Sequence, residues 1–284
     1  MKNIKEKQKL IIMSMVTIAV IGISLFSTNN DQTLKTSVNV GSTKTIGWGI
    51  KRAKNNMQPD VGTDNRKMLE ENSGICLGND MEKVIYLTFD EGYEAGYTSK
   101  ILEILNQNNV KITFFMVGEW VDKYPEAVKK IYEAGHEIGS HSNTHPHVNN
   151  LTAEKNLEEI KLSVDKIEKI TGYKTNLYRA PYGEYNNTVI KTAQQNGFYP
   201  IQWNLDTLDY KGLTGEQMWN RLKNKLENGA IILSHNGTKH TADSLDMLIK
   251  NIKASGFQVT TVSEIIYKDN YSINNNGTQI RNQK

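Results

Sequence analysis

Between residues 83 and 267 short strand-like runs alternate with amphipathic stretches, and this alternation restricts the possible folds more than any other feature. Segments at 84–89, 112–117, 136–139, 176–179, 198–203, 230–234 and 257–260, most of them rich in β-branched and aromatic residues, read as strands. Between them apolar residues recur at helical spacing. The first such segment spans 97–107, with Ile101, Leu102, Ile104 and Leu105, and a second at 125–134 is stopped by Gly135. The segment 153–170 has Thr152 as its N-cap and a stripe of Leu157, Ile160, Leu162, Val164 and Ile167. Further helices are expected at 187–196, 214–227, 242–254 and 262–267. About seven strand–helix repeats in so short a span predict an α/β fold, a distorted (β/α)7 parallel barrel, with a doubly wound open sheet as the alternative. No Gly-x-Gly-x-x-Gly follows a strand and no phosphate-binding Gly-x4-Gly-Lys-Ser/Thr occurs, so nothing supports a nucleotide-binding version.

Ahead of this span the chain changes character. Lys2, Lys5, Lys7 and Lys9 precede an uncharged, mostly apolar run at 10–26, so that 1–26 reads as a signal peptide or an N-terminal membrane anchor. With either, the bulk of the chain is exported. Residues 27–45 are polar and read as a linker. Residues 46–80, where Trp48 breaks the polar composition, read as an extension packing on a barrel domain at 81–267, and the Asn-rich 268–284 as a disordered tail. The four leader lysines and Glu6 account for the whole net charge of +3. The exported part is therefore neutral, and nothing points to a nucleic-acid partner. Cys76 is the only cysteine, which leaves the core rather than a disulfide to stabilise the fold.

The residues able to do chemistry fall where strands end. Asp90 and Glu91 end the first strand, and His141 and His145 follow the third. Arg179 follows the next, Asp206 and Asp209 follow 202–205, and His235 ends 231–234. In a parallel barrel all of these meet on the C-terminal rim, where active sites gather. Asp-Glu-Gly alone is also ordinary turn chemistry. Two histidines with Asp90 or Glu91 make a two-His-one-carboxylate set that leaves open metal positions. The other acid is then free to act as a general base, and His235 as a proton donor held charged by Asp209. Arg179 can fix and neutralise the base. Tyr182, Trp203 and Tyr210 can line a sugar groove, or equally serve as core aromatics. His136 reads as structural, and His147 and His240 as solvated loop residues.

In this order the motifs Thr88-Phe89-Asp90-Glu91-Gly92, His141-Ser142-Asn143-Thr144-His145, Arg179-Ala180-Pro181-Tyr182-Gly183, Asp206-Thr207-Leu208-Asp209-Tyr210 and Leu233-Ser234-His235 resemble those of the polysaccharide deacetylases of carbohydrate esterase family 4. The resemblance covers residues 81–267. It implies a barrel-like fold and a metal-dependent hydrolase that removes acetyl groups from glycans, with Zn2+ as the expected divalent metal. It implies Asp90 as base, Glu91, His141 and His145 as metal ligands, Arg179 as the residue orienting the base, and His235 as the acid tuned by Asp209. Tyr182, Trp203, Tyr210 and Leu233 are the implied substrate-binding residues. The sequence departs from the family at Glu91, where Asp is usual, at Ala180, commonly Pro, and at Tyr210, commonly Trp.

Outside the motifs, residues 48–52, 58–62 and the tyrosine-rich 92–98 resemble the δ-lactam-biosynthetic de-N-acetylases of spore-forming bacteria. The implied substrate is N-acetylmuramic acid in peptidoglycan, deacetylated for muramic δ-lactam formation in the spore cortex. The expected partners are peptidoglycan glycan strands, and the membrane if the leader is retained. The sequence names no protein partner. A deacetylase for N-acetylglucosamine in peptidoglycan or chitin is the alternative, and a non-catalytic wall-binding protein is the second.

Overall fold

A computed structural model describes residues 77–79, 83–273 and 277–282. The leader, the linker, and most of the expected extension with Trp48 and Cys76 lie outside the described residues. In chain order the elements are β1 (Leu77–Asn79), β2 (Val84–Glu91), α1 (Thr98–Gln107), β3 (Thr113–Met116), α2 (Gly118–Lys123), α3 (Pro125–Glu133), β4 (Glu137–Ser140) and α4 (Ala153–Thr171). They continue with β5 (Leu177–Tyr178), α5 (Asn187–Gln195), β6 (Tyr199–Pro200), β7 (Leu205–Asp206), α6 (Gly215–Leu222) and β8 (Ala230–His235). Last come α7 (Lys239–Ala254), β9 (Gln258–Val259), α8 (Val262–Ile265), β10 (Tyr271–Ile273) and β11 (Thr278–Arg281).

Parallel pairing runs β7–β8–β2–β3–β4–β5–β6. Among the described residues β6 and β7 do not pair, so the sheet curls into an open half-barrel. All eight residues of β2 are buried, as befits a central parallel strand covered on both faces. The strand pleat splits them between two cores. Val84 and Tyr86 join Phe115, Leu177, Ile201, Trp203, Ile231 and Leu233 inside the curl. Ile85, Leu87 and Phe89 pack outward against Ile101 and Leu105 of α1 and Leu245 and Leu248 of α7. Each such buried side chain contributes on the order of 1.5–3 kcal/mol. The expected cap of α4 is present: Thr152 accepts from Lys155 N, and Gly172 ends the helix at φ 71°.

The expected strand at 198–203 is broken. Pro200 has no N–H to donate, and the carbonyls of Ile201 and Gln202 are turned to Arg179, which donates to them at 3.4 and 3.2 Å. The chain then resumes as β7 beside β8. The helix α2, which buries Trp120 and Val121, was not expected from the spacing. The expectation of a disordered tail is corrected at its described residues. There β10 and β11 pair antiparallel, and β11 pairs parallel with β1. Buried Gln279 accepts from Tyr267 N at 2.7 Å and donates to Tyr267 O at 2.8 Å. The polar composition conceals these strands because the buried side chain at Gln279 is an amide, which satisfies the Tyr267 backbone.

Candidate active site

The strand ends deliver Asp90, His141, Arg179, Asp209 and His235 to one rim. Asp90 stands in register with His235 of β8 and with Phe115 of β3. Its Oδ1 accepts from Arg179 Nη1 at 2.7 Å, and its Oδ2 lies 3.4 Å from His141 Nε2. Arg179 is fully buried, and its remaining donors reach Thr88 Oγ1 and the two carbonyls above β6. Its guanidinium lies 4.1 Å from the Phe115 ring centre and 5.5 Å from that of Trp203. Burial pushes the Asp90 carboxyl up, but His141, Arg179 and His235 outweigh it and hold the pKa below the usual carboxylate value.

His235 is gripped by Asp209. The ring Nδ1 lies 2.8 Å from Asp209 Oδ1, and the backbone N donates to Oδ2 at 2.6 Å. Thr241 Oγ1 donates to the same Oδ2 at 2.5 Å, so the carboxylate is locked in place. Burial lowers the His235 pKa, yet the Asp209 hydrogen bond and the charges of Asp209, Asp90 and Asp206 raise it above the ordinary histidine value. The rim thus holds an ionised acid and an imidazole biased toward its charged form on adjacent strands. A water that loses a proton to one and a leaving group that takes a proton from the other fit that arrangement.

The expected metal set does not assemble. The pleat that turns Asp90 inward turns Glu91 outward, level with Met116 and toward the helix layer. Glu91 is fully buried there and neither carboxyl oxygen has a hydrogen-bond partner. The Asn236 side chain favours its charged form but falls short of a hydrogen bond. Burial, with Asp90 adding to it, raises its pKa well above the ordinary value. His141 and His145 do meet, with ring centres 4.9 Å apart. His141 Nδ1 is 2.9 Å from the Arg179 carbonyl, which accepts from it and leaves Nε2 to face Asp90. Burial lowers the His145 pKa to about 4, with His141 adding to the effect. Among the described residues no group of three His, Cys, Asp or Glu is placed to hold a metal ion.

The expected substrate-binding residues divide. Tyr182 and Tyr210 are 56% and 48% exposed and flank the rim at His145 and His235, with ring centres 4.5 and 5.3 Å away. Trp203 and Leu233 are buried in the interior cluster instead, Trp203 beneath Arg179. Asp206 accepts from Leu208 N at 2.8 Å and shapes the turn rather than touching His235's ring. His136 is buried, accepts from Ile112 N at 3.3 Å, and burial lowers its pKa to about 4, as a structural histidine requires. His240 lies in α7, not in a loop. His147 is not merely solvated, because its Nδ1 is 2.6 Å from the buried Glu184. Tyr93, exposed and 6.0 Å edge-on to His235, was also missed, although its place in the tyrosine-rich 92–98 segment was the available signal.

A family model described as polysaccharide deacetylase matches residues 78–201. Peptidoglycan-N-acetylmuramic acid deacetylase PdaA of Bacillus subtilis is 34% identical over 227 residues, covering 78% of this chain and 86% of the relative. The solved structure of B. subtilis PdaA, a family 4 carbohydrate esterase, aligns with TM-score 0.73 and 32% identity over 79% of this chain and 98% of that one. A peptidoglycan-N-acetylglucosamine deacetylase of Bacillus cereus is 34% identical over 182 residues, 63% of this chain and 66% of the relative. A pseudoenzyme of the same esterase family from Bacillus anthracis aligns with TM-score 0.66 and 28% identity, covering 75% of this chain and 74% of that chain.

Proposed function

The chain belongs to the polysaccharide deacetylase family, hydrolases acting on N-acetyl groups, and we propose that its substrate is N-acetylmuramic acid in peptidoglycan. The observation that carries the reading is the register of Asp90 against His235, with each held by its own buried partner. Asp90, kept ionised by His141 and Arg179, takes a proton from a water that attacks the acetyl carbonyl. His235, kept charged by Asp209, gives a proton to the departing amine. Acetate and a free amine result. Beside a lactyl carboxyl that amine can close to a lactam, which fits a role in muramic δ-lactam formation in the spore cortex. An exported chain, held at the membrane if its leader is retained, would meet this substrate.

Metal dependence is general in the family, and Zn2+ is the ion expected from the resemblance. His141 and His145 are the members of the expected set that stand together, and Glu91 is not with them. The N-acetylglucosamine reading is favoured by the B. cereus relative, which is as similar in identity over a shorter span. The likeness to a pseudoenzyme makes a non-catalytic wall protein the third reading, and the paired Asp90 and His235 weigh against it. Purified peptidoglycan treated with the protein tests all three, with acetate assay and mass spectrometry of the muropeptides. Deacetylated muramic acid or its lactam supports the proposal, deacetylated glucosamine transfers it to the alternative, and no acetate release with or without added Zn2+ rejects both.

A further inference from the structure

Tyr182 is in ring contact with two imidazoles. Its ring centre is 4.3 Å from that of His147 at an interplanar angle of 16°, and 4.5 Å from that of His145 at 69°. Its backbone takes φ 57° and ψ 8°, the left-handed region that a bulky side chain avoids unless its surroundings hold it there. Yet the residue is 56% exposed, so burial does not explain the strain. The surroundings that hold it are specific. Glu184, two positions further along the same turn, has one carboxyl oxygen 2.6 Å from His147 Nδ1, and the other accepts from Asn149 N at 3.0 Å. The turn that strains Tyr182 thus also carries the group that orients His147 over its ring. His147 keeps 61% of its side chain exposed, so its contact with Tyr182 owes more to Glu184 than to packing.

We propose that His147, oriented by Glu184, is a positioning residue that holds Tyr182 upright against His145 as a wall of the groove, where its exposed edge meets a pyranose ring of the glycan. The inference rests on the deacetylase reading and adds to it a residue that acts through Tyr182 rather than through the reacting groups. An aromatic edge carrying a hydroxyl offers a sugar both apolar and hydrogen-bonding contact, and its value depends on the side chain being fixed before the glycan arrives.

The test is a double-mutant cycle on N-acetylated glycan strands, with acetate release for KM and kcat, calorimetric titration for Kd, and melting temperature as the check on folding. His147→Ala and Tyr182→Ala are each expected to raise KM and Kd about fivefold. In both, kcat should change by less than about twofold, the pattern of lost binding rather than lost chemistry. His147→Phe keeps a ring but loses the Glu184 hydrogen bond, and is expected to leave KM raised. The double variant should be no worse than Tyr182→Ala alone. An unchanged KM in His147→Ala, an effect on kcat alone, or full additivity in the double variant overturns the proposal. A wild-type chain that binds glycan without releasing acetate would sink the deacetylase reading, and the clamp would then be decided on Kd in the same variants.

Discussion

Arg179 Nη1 donates to Asp90 Oδ1 at 2.7 Å, and neither side chain is more than 6% exposed. The guanidinium also holds the crossing from β6 to β7, because it takes the carbonyls that a continuous strand would have offered to a neighbour. One residue therefore serves the chemistry and the crossing from β6 to β7 together. Removing one member of such a buried pair leaves a charge without compensation. Arg179→Met is expected to cost roughly 3–5 kcal/mol of stability as well as activity. Arg179→Lys should not rescue it, since a compact ammonium lacks the planar fork that reaches Asp90, Thr88 and two carbonyls. Denaturant unfolding with acetate release checks both, and wild-type behaviour of the Lys variant would contradict the account.

The pH profile follows from the opposed shifts of Asp90 and His235. Asp90 must be ionised and its pKa is lowered, so the acid limb lies below the ordinary carboxyl range. His235 must be protonated and its pKa is raised, so the alkaline limb lies above the ordinary histidine value. The bell is widened on both sides. Asp209→Asn removes the charge that raises His235 and leaves only a neutral acceptor for its ring, so the alkaline limb of kcat/KM should move to lower pH while the acid limb stays. A profile that keeps its alkaline limb in Asp209→Asn would show that another group sets it. His235→Ala should lower kcat by roughly 100- to 10,000-fold at the optimum.

The sequence made the rim legible and left its interior ambiguous, for physical reasons. Strand-end placement depends only on periodicity, so the sequence puts Asp90, His141, Arg179, Asp209 and His235 on one face. Adjacent acids are different: a strand that stays regular to its last residue must send Asp90 and Glu91 to opposite faces, and the motif does not say where regularity ends. The half-barrel opening lay hidden because one apolar run spans β6 and the crossing, and Arg179's carbonyl contacts leave no periodic trace. His147 carries no sequence signal of its role because its partner Glu184 is remote in sequence.

Glu91 supplies a prediction that separates burial from ligation. In the unfolded chain its carboxyl ionises near the ordinary value, whereas in the fold it stays protonated well above it. Its contribution to stability is therefore full below the unfolded pKa and is lost as pH rises toward the folded pKa. Glu91→Gln mimics the protonated acid and lacks this loss. Its melting temperature should match wild type near pH 4 and exceed it at pH 8, by roughly 2–4 °C for each kcal/mol recovered. Zn2+ affinity, read by calorimetric titration, should be unchanged in Glu91→Gln. Weaker Zn2+ binding would mean that the strand end turns Glu91 across to His141 and His145.

Gly237 decides how close Tyr93 stands to His235. A Cβ at Gly237 would lie 2.4 Å from the Tyr93 Cβ, with Glu94 N 3.5 Å away, so no side chain fits without moving the 92–97 loop. That loop is pinned on its other side, where Glu94 accepts from Tyr124 Oη at 2.6 Å and from Lys123 Nζ at 3.4 Å. Gly237→Ala should therefore push Tyr93 off the rim while Tyr124 holds the far end. Overpacking of this kind costs about 1–3 kcal/mol, which corresponds to a loss in kcat/KM of roughly 5- to 150-fold if it falls on the bound glycan. Tyr93→Gly removes the clashing Cβ, so adding Gly237→Ala to it should change nothing further. Steady-state kinetics of the two single variants and the double variant check this, and an additional loss in the double variant would place the effect of Gly237 on His235 itself rather than on Tyr93.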